Sequence, residues 1–217
     1  MVETAEIRQQ LGRDVFDYQQ LTGCLSYLSK PRDKINKLLR RGDIVRLRKG
    51  LYAFGRSYRR DPLSRELLAN LIYGPSYISL EYALSHHGLI PERVSTVTSV
   101  ALGRSRQFDT PVGTFTYHAL SLACYAVGAD LVETPAGCFL IACAEKALAD
   151  KVWTDKRFSG TRRSDFRPYL EEDLRIDRAH LVRLDRARFP RIEQAYGSRK
   201  IANLFRFLDS LREAPRA

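Results

Sequence analysis

The apolar and polar positions that follow residue 30 have the pattern of an amphipathic helix. Ile35, Leu38 and Leu39 recur at helical spacing and share one side of a 3.6-residue wheel. Pro31 suits the first turn of such a helix, because the N–H that proline lacks has no helical partner there, and Ser29 is the predicted N-cap. The opposite side of the wheel is polar and mostly basic. It carries Asp33, Asn36, Lys37 and Arg40, with Lys34 and Arg41 at its flanks.

Directly after this helix the period changes to two, which is typical of β-strands. The predicted strands are residues 44–48 and 51–54, and Lys49-Gly50 between them suits a two-residue turn that needs a glycine-like conformation. Strict alternation divides the first strand into two faces, one with Val45 and Leu47 and the other with Arg46 and Arg48. The pattern therefore predicts a hairpin with an arginine face and a basic tip.

Two shorter helices are predicted before the basic helix. Residues 4–11 form the first, which ends at Gly12. Asp17 is the predicted N-cap of a second helix that carries Tyr18, Leu21, Leu25 and Leu28, with an interruption at Gly23 as the alternative. Three helices and a hairpin in this order are the parts of a winged helix-turn-helix domain, which we assign to residues 1–56. Its predicted core is Ile7, Leu11, Phe16, Leu21, Leu25, Leu28, Ile35, Leu38, Leu39, Val45, Leu47 and Tyr52.

The rest of the chain predicts an α+β domain, residues 62–217, joined by a charged linker at residues 55–61. Its β-branched segments and turns predict a small, mostly antiparallel sheet, and its end predicts a helical C-terminal tail. The predicted strands are residues 77–80, 93–102, 106–108, 113–120, 131–134 and 138–141. The predicted helices are residues 62–73, 80–87, 142–153, 167–174, 179–189 and 198–212. The whole chain is thus expected to be α+β.

The charge of the chain is unevenly distributed. The 217 residues carry a formal net charge of +11, and residues 30–60 contain twelve Lys and Arg against Asp33 and Asp43. Residues 61–150 sum to −4 and residues 151–217 to +7. A basic balance alone indicates only attraction to polyanions, but its concentration on one helix and the hairpin that follows favours nucleic-acid binding.

The predicted DNA-binding residues fall into two groups. Asn36, Lys37 and Arg40 are expected to face the major groove, where asparagine can pair with adenine and arginine with guanine through two hydrogen bonds. Phosphate contacts are predicted for Arg32, Lys34, Arg41, Arg46, Arg48 and Lys49.

Gly50-Leu51-Tyr52, Ser79–Gly88 and Ala144–Asp150 (AEKALAD) are three segments that in combination match a known family. Over roughly residues 15–155 the chain resembles the AbiEi family, the antitoxins of type IV toxin–antitoxin systems. The resemblance implies a winged helix domain that represses its own operon at inverted repeats in the promoter. It also implies a second domain that counteracts a cognate nucleotidyltransferase toxin without a stable complex. We expect a monomer when free and two copies on DNA.

Within this resemblance, the DNA-contacting elements fall on Arg32–Arg41 and Arg46–Lys49. The determinants of toxin neutralisation are less well localised, and Arg104, Arg106 or the basic tail are candidates. An alternative function stays open, in which an RNA- or protein-binding interaction module neutralises a toxin without promoter binding. An inverted repeat upstream of the gene favours the repressor, and its absence favours the alternative.

The remaining chemistry predicts a protein that is not an enzyme and holds no metal or other cofactor. His86 and His87 are adjacent and cannot share one helical face. Glu145, Lys146 and Asp150 lie in a helical pattern and lack the spacing of a metal-dependent nuclease, and Glu145 is expected to be a buried carboxylate that accepts backbone N–H groups. No phosphate-binding glycine motif and no G-x-S-x-G motif occur.

The cysteines and the hydropathy of the chain indicate the cellular compartment in which the protein is expected. Cys24, Cys124, Cys138 and Cys143 show no C-x-x-C spacing, so we expect reduced thiols and no zinc site. The longest apolar run, residues 138–144, is too short to cross a membrane, and the N-terminus has no apolar signal-peptide core. These features predict a cytoplasmic protein.

Overall fold

A computed structural model describes residues 4–59 and 62–213 of the chain. Within these residues the protein is mixed α+β, with one sheet of three strands and one of six. We call residues 4–59 the N-terminal unit and residues 62–213 the C-terminal unit. The N-terminal unit contains, in chain order, α1 (Thr4–Leu11), β1 (Val15–Asp17), α2 (Tyr18–Cys24), α3 (Pro31–Arg41), β2 (Ile44–Arg48) and β3 (Leu51–Phe54).

The C-terminal unit begins with a helix and a β-rich region, and ends with a helical layer. The first region contains α4 (Arg65–Ile72), β4 (Ser76–Ile78), α5 (Leu80–His86), β5 (Val97–Leu102), β6 (Arg106–Thr110), β7 (Gly113–Leu120), α6 (Leu122–Tyr125), β8 (Ala129–Thr134) and β9 (Gly137–Ala142). The helical layer contains α7 (Ala144–Thr154), α8 (Arg178–Arg183), α9 (Phe189–Tyr196) and α10 (Arg199–Glu213). Between α7 and α8 lies a short π-helix, Pro168–Asp173.

The ends of the N-terminal helices follow local chemistry, with two corrections. Asp17 caps α2 as predicted, because its carboxylate accepts the Gln20 N–H at 2.7 Å and the Gln20 side chain accepts the Asp17 N–H at 3.0 Å. This helix ends at Cys24, next to the interruption expected at Gly23, and does not continue to Leu28. Ser29 does not cap α3 either: Lys30 occupies that position without a side-chain bond, since Pro31 already removes one free N–H.

The predicted hairpin is confirmed, and a third strand joins it. β2 and β3 are antiparallel, and Gly50 in their turn adopts a positive φ of +84°. The short strand β1, which the sequence pattern did not predict, pairs antiparallel with β3, so the strand order is β1-β3-β2. Three residues are too few for a recognisable alternation, which explains why β1 escaped prediction.

A β-bulge in β2 overturns the predicted arginine face. Arg46 pairs with Tyr52 and Arg48 with Leu51, so Leu47 is an extra residue on its strand. Directly opposed side chains share a face, and Tyr52 and Leu51 point to opposite sides of the sheet. Arg46 and Arg48 therefore lie on different faces, because strict alternation stops at the bulge.

The three-stranded sheet is covered on both sides. One face packs on the core of the N-terminal unit, which is formed by Ile7, Phe16, Leu21, Leu25, Ile35, Leu38, Ile44, Tyr52 and Phe54. On the other face Leu47, Leu51 and Ala53 join the large core of the C-terminal unit, and Val15 and Val45 pack against it. Val45 and Leu47 were predicted to belong to the first core, and that prediction is wrong because this face of the sheet meets a second body.

The predicted linker is only partly a connector. Arg56–Tyr58 form a 3-10 helix, and Tyr58 packs against the first core. Arg60 and Asp61 lie outside the described residues. The units are therefore joined by buried apolar contacts as well as by the chain between them.

The larger sheet is mixed, with strand order β6-β7-β5-β4-β9-β8. The pairs β6–β7, β4–β5 and β8–β9 are antiparallel, whereas β5–β7 and β4–β9 are parallel. Three of the five pairings are antiparallel, so the predicted mostly antiparallel character is confirmed, but the sheet has six strands and is larger than predicted. Parallel pairing joins segments distant in sequence, and local turn signals do not reveal it.

The predicted C-terminal tail is a packed layer. Phe166, Leu181, Phe189, Ile192 and Phe205 are all buried in the same core as the six-stranded sheet. The range predicted as one helix, residues 179–189, contains α8 and a 3-10 turn at Arg186–Arg188, and α9, which follows at Phe189–Tyr196, was not predicted. An extended backbone at Leu184 separates α8 from the turn, and the Asp185 carboxylate accepts the Ala187 N–H at 3.0 Å to begin the turn.

A close backbone approach links the end of α3 to the end of the hairpin. Gly42 has a φ of +71° and ends α3, and the Gly55 N–H donates to the Asp43 carbonyl at 2.7 Å. A Cβ added to Gly55 would lie 1.9 Å from the Gly42 carbonyl oxygen. The position of α3 relative to the hairpin therefore depends on the absence of a side chain at Gly55.

We expect Gly55→Ala to lower the free energy of unfolding by about 2 kcal/mol, because backbone must move to admit the methyl group. Gly23→Ala is the matched control, since a Cβ at Gly23 meets no atom within 4 Å and alanine favours the helix. Urea denaturation of both variants measures the difference. Equal stabilities for the two variants would contradict the close approach.

Candidate nucleic-acid interface

The three residues predicted to face bases lie on the exposed side of α3. Asn36, Lys37 and Arg40 are exposed, and Ile35 and Leu38 on the opposite side are buried. Arg40 follows Asn36 by four residues and Lys37 by three, so their side chains are neighbours on the helix surface. The face combines an amide with two cations, and these groups can donate hydrogen bonds to the edges of bases.

The start of α3 is oriented by the preceding helix. The Arg32 Nε donates to the Tyr18 hydroxyl at 3.3 Å, so α2 supports the guanidinium of an exposed residue. Lys34 is partly buried beside this turn. A cleft of about 390 Å³ between the two helices is lined by Tyr18, Thr22, Ser29, Lys30, Pro31, Arg32 and Asp33.

The end of α3 is held by a buried carboxylate. Asp43 is 6% exposed, and its Oδ2 accepts the Thr4 hydroxyl at 2.8 Å. The same oxygen lies 3.3 Å from the Arg41 Nε. Asp43 therefore fastens the start of α1 to the turn after α3 and partly neutralises Arg41. We expect Arg41 to attract phosphate more weakly than Arg40 does.

The hairpin distributes its cations over two sides. The Arg46 guanidinium lies 5.9 Å from the centre of the Tyr52 ring, within cation–π range, and Lys49 is exposed at the turn. Arg48 is exposed on the side of the C-terminal unit, where its charge acts on Tyr117. Burial raises the pKa of the Tyr117 hydroxyl, and the Arg48 charge opposes that shift. Arg106, the first residue of β6, is exposed and lies directly opposite Tyr117 in the sheet.

Of the nine predicted residues, all but Lys34 are exposed, and the bulge turns Arg48 toward the C-terminal unit. Arg104 and Arg106, proposed on sequence for toxin neutralisation, are both exposed, Arg104 before strand β6 and Arg106 at its first residue.

A second polar cluster, which we call the buried lysine cluster, lies inside the C-terminal unit. Lys146 and Asp150 are both 0% exposed and form an ion pair. The Asp150 carboxylate also accepts the hydroxyls of Tyr196, of Ser79 at 2.6 Å and of Tyr77 at 3.2 Å. The Lys146 Nζ donates to the Tyr196 hydroxyl at 2.8 Å.

Complete burial gives this cluster a structural role. Burial and then the Asp150 charge raise the pKa of the Tyr77 and Tyr196 hydroxyls, so both stay protonated and donate. Substrate cannot reach groups with no exposed surface. In the segment AEKALAD, Lys146 and Asp150 are four residues apart, and this spacing indicates an ion pair on one helix face. The tyrosine and serine partners of the pair come from distant segments, which the spacing does not reveal.

Glu145 precedes the cluster on α7 and is 5% exposed. Its Oε1 accepts the backbone N–H of Asp185 at 2.7 Å, so the predicted bond to backbone exists, but to the turn before α9 and not to the start of its own helix. The neighbouring Cys143 is buried, and burial raises the pKa of its thiol to about 11. Glu145 therefore joins α7 to the turn before α9, and the Cys143 N–H donates to the Gly128 carbonyl at 2.8 Å, next to the start of β8.

The two histidines lie in a shallow polar region beside α4. Their rings are 5.3 Å apart and nearly perpendicular, and the His87 Nε2 lies 2.7 Å from the Ala142 carbonyl oxygen. Burial, and then the charge of His87, lower the pKa of His86. For nearby Glu66, burial alone would raise the pKa. Hydrogen bonds to its carboxylate, chiefly the one from the Tyr82 hydroxyl, outweigh burial, so the pKa of Glu66 is lowered.

Comparison with known proteins gives no assignment. No protein-family model matches the chain, and no curated protein is significantly similar to it. Among residues 4–59 and 62–213, no helix has the length and apolar character to cross a membrane, and no three His, Cys, Asp or Glu side chains form a metal-binding group. The four cysteines are free thiols.

We expect Lys146→Met to lower the free energy of unfolding by about 3 kcal/mol, because it leaves the Asp150 charge buried without its cation. The double variant Lys146→Met/Asp150→Leu should recover part of this loss, since neither charge remains. Lys156→Met, at an exposed position, is the control and should change stability by less than about 0.5 kcal/mol. If Lys146→Met matched the control in urea denaturation, the cluster would contribute nothing to stability.

Proposed function

We propose that the N-terminal unit is a winged helix-turn-helix that binds double-stranded DNA sequence-specifically, and that the chain represses its own promoter. The observation that carries the proposal is the exposed face of α3, where Asn36, Lys37 and Arg40 stand together beside a hairpin with a basic tip. The order helix, strand, helix, helix, strand, strand is the order of a winged helix, and it supports α3 as the recognition helix.

In this proposal α3 enters the major groove and the hairpin touches the flanking backbone. Asn36 and Arg40 read base edges, and Lys37 contributes a third donor at the same face. The guanidinium of Arg32, held by Tyr18, and the cations Arg46 and Lys49 then contact phosphates on either side. Lys34, Arg41 and Arg48 are the remaining proposed phosphate contacts.

The antitoxin part of the proposal rests on the resemblance to the AbiEi family. The C-terminal unit would counteract a nucleotidyltransferase toxin without a stable complex, while two copies of the chain occupy an inverted repeat in the promoter. Buried contacts of Leu47, Leu51 and Ala53 support a fixed attachment of this unit to the DNA-binding one. An RNA- or protein-binding module is the alternative that the following test separates.

The test is an electrophoretic mobility shift with DNA from immediately upstream of the gene. Unrelated double-stranded DNA and RNA serve as competitors, at two salt concentrations. We expect a discrete shifted band that survives both competitors, because base contacts add to the backbone attraction. A smear that disappears with added salt, or a complex displaced more effectively by RNA, would contradict the proposed function.

Two substitutions separate base contacts from phosphate contacts. We expect Arg40→Ala to weaken promoter binding by about 1–3 kcal/mol and to relax the preference over unrelated DNA. Arg46→Ala should weaken both DNAs about equally and reduce the slope of log affinity against log salt by about one. Fluorescence anisotropy over a salt series measures both quantities.

Arg178→Ala is the control for this pair, because Arg178 is exposed on α8, outside the N-terminal unit. It should leave preference and affinity for promoter DNA close to wild type. If Arg40→Ala and Arg46→Ala behaved like this control, the assignment of α3 and the hairpin to DNA would be wrong.

A further inference from the structure

The helical layer of the C-terminal unit contains a basic pocket far along the chain from α3. The pocket has a volume of about 410 Å³ and lies where the loop after α7 meets the start of α10. Its lining residues are Ser159, Gly160, Thr161, Arg162, Arg199 and Lys200. Three cations and two hydroxyls therefore line one concavity, with no carboxylate among the lining residues. Asp165 lies next to them: its carboxylate accepts the Thr161 hydroxyl at 3.3 Å and the Arg162 backbone N–H at 2.9 Å, which leaves the Ser159 hydroxyl as the free donor of the two within the described residues.

The loop that forms the pocket is held in place by side chains from elsewhere in the unit. Asn203 is a buried residue of α10, and its side-chain amide donates to the carbonyls of Gly160 at 3.4 Å and Thr161 at 2.9 Å. Phe158 stacks on Tyr169 with ring centres 3.9 Å apart. A Cβ on Gly160 would lie within 3.0 Å of Phe166 and of the Lys200 side chain, so the loop packs closely against these two residues. The pocket is thus preformed.

The charges of the pocket are largely available to a ligand. Arg162 and Arg199 are exposed, and within the described residues neither guanidinium forms an ion pair. The Lys200 Nζ donates to the Asp155 carbonyl at 3.0 Å and is drawn toward the loop. The Asp155 carboxylate is engaged by the Lys151 Nζ at 3.3 Å and by the Tyr169 hydroxyl at 3.2 Å. Burial lowers the pKa of Lys200, and the Asp155 charge opposes that shift, so the two arginines are the pocket cations least affected by Asp155.

We propose that this pocket binds a phosphate group in the backbone of a nucleic acid. Two guanidiniums, an ammonium and a hydroxyl donor are the groups that hold phosphate oxygens through charge-assisted hydrogen bonds. Further exposed cations continue from the pocket along the same loop and beyond it, at Lys156, Arg157, Arg163 and Arg167. One isolated phosphate needs no such extension, whereas a polymer with regularly spaced phosphates uses it.

The inference goes beyond the proposed promoter binding, because it assigns a second, sequence-independent contact to residues outside the N-terminal unit. The probes are a mixed-sequence double-stranded DNA, a single-stranded RNA of equal length, and adenosine monophosphate. Binding of each to the full chain is measured over a salt series. The variant is Arg162→Gln/Arg199→Gln, which removes two exposed charges, and Arg178→Gln/Arg191→Gln is the control with the same charge change at exposed positions.

We expect the pocket variant to bind at least one polymer roughly tenfold more weakly than wild type. For that DNA or RNA, the slope of log affinity against log salt should decrease by about two, because two phosphate contacts are lost. The control variant should keep the wild-type slope. Adenosine monophosphate should bind weakly, and NMR should show its effect on the Gly160 and Thr161 amides of the wild-type chain. A pocket variant that behaves like the control would overturn the proposal.

Two other results would also overturn it. Equal losses in both double variants would mean that only overall charge matters. Adenosine monophosphate binding as tightly as the polymers would assign the pocket to a free nucleotide and not to a backbone phosphate. The affinity lost through Arg162→Gln/Arg199→Gln should be the same when Arg40→Ala is also present. A wrong assignment of promoter recognition and a wrong assignment of the pocket therefore give different results.

Discussion

Burial of the three-stranded sheet on both faces is the constraint on which the arrangement of the chain depends. Phe16, Tyr52 and Phe54 point into the N-terminal core, while Leu47 and Leu51 point into the core of the C-terminal unit. A strand with apolar residues on both faces loses buried area if either unit moves away. The hairpin therefore cannot reorient independently of the C-terminal unit, and a ligand held by α3 and the hairpin would have a fixed orientation toward the larger sheet.

Much of the N-terminal unit could be predicted because its signals are local. The 3.6-residue period of α3, the N-cap at Asp17 and the turn at Gly50 each act within a few residues, and each prediction was correct. The bulge at Leu47 and the short strand β1 were missed, since only pairing with β3 defines them. The helical period identified which residues of α3 are exposed. It could not indicate that the bulge directs Arg48 to the other face of the sheet.

The C-terminal unit was less predictable, because its organisation depends on contacts between distant segments. Its parallel pairings join strands that no hairpin connects. Lys146 and Asp150 are recognisable as a pair in the sequence, but Tyr77 precedes them by about seventy residues and Tyr196 follows by about fifty. A buried ion pair needs every one of these partners, since an unsatisfied charge in the interior is costly. The cluster therefore joins β4, α7 and α9 through buried polar contacts.

The distribution of charge follows the same architecture. Residues 61–150, which supply the six-stranded sheet, sum to −4, and the basic segments on either side sum to +10 and +7. A polyanion is repelled by the acidic part and attracted at two separate places, α3 with its hairpin and the loop of the basic pocket. Because Leu47 and Leu51 attach the hairpin to the same core that supports α10, these two basic regions belong to one packed body. A nucleic acid long enough to reach both would meet contacts whose separation the fold already sets, which lowers the entropy cost of binding at the two places together.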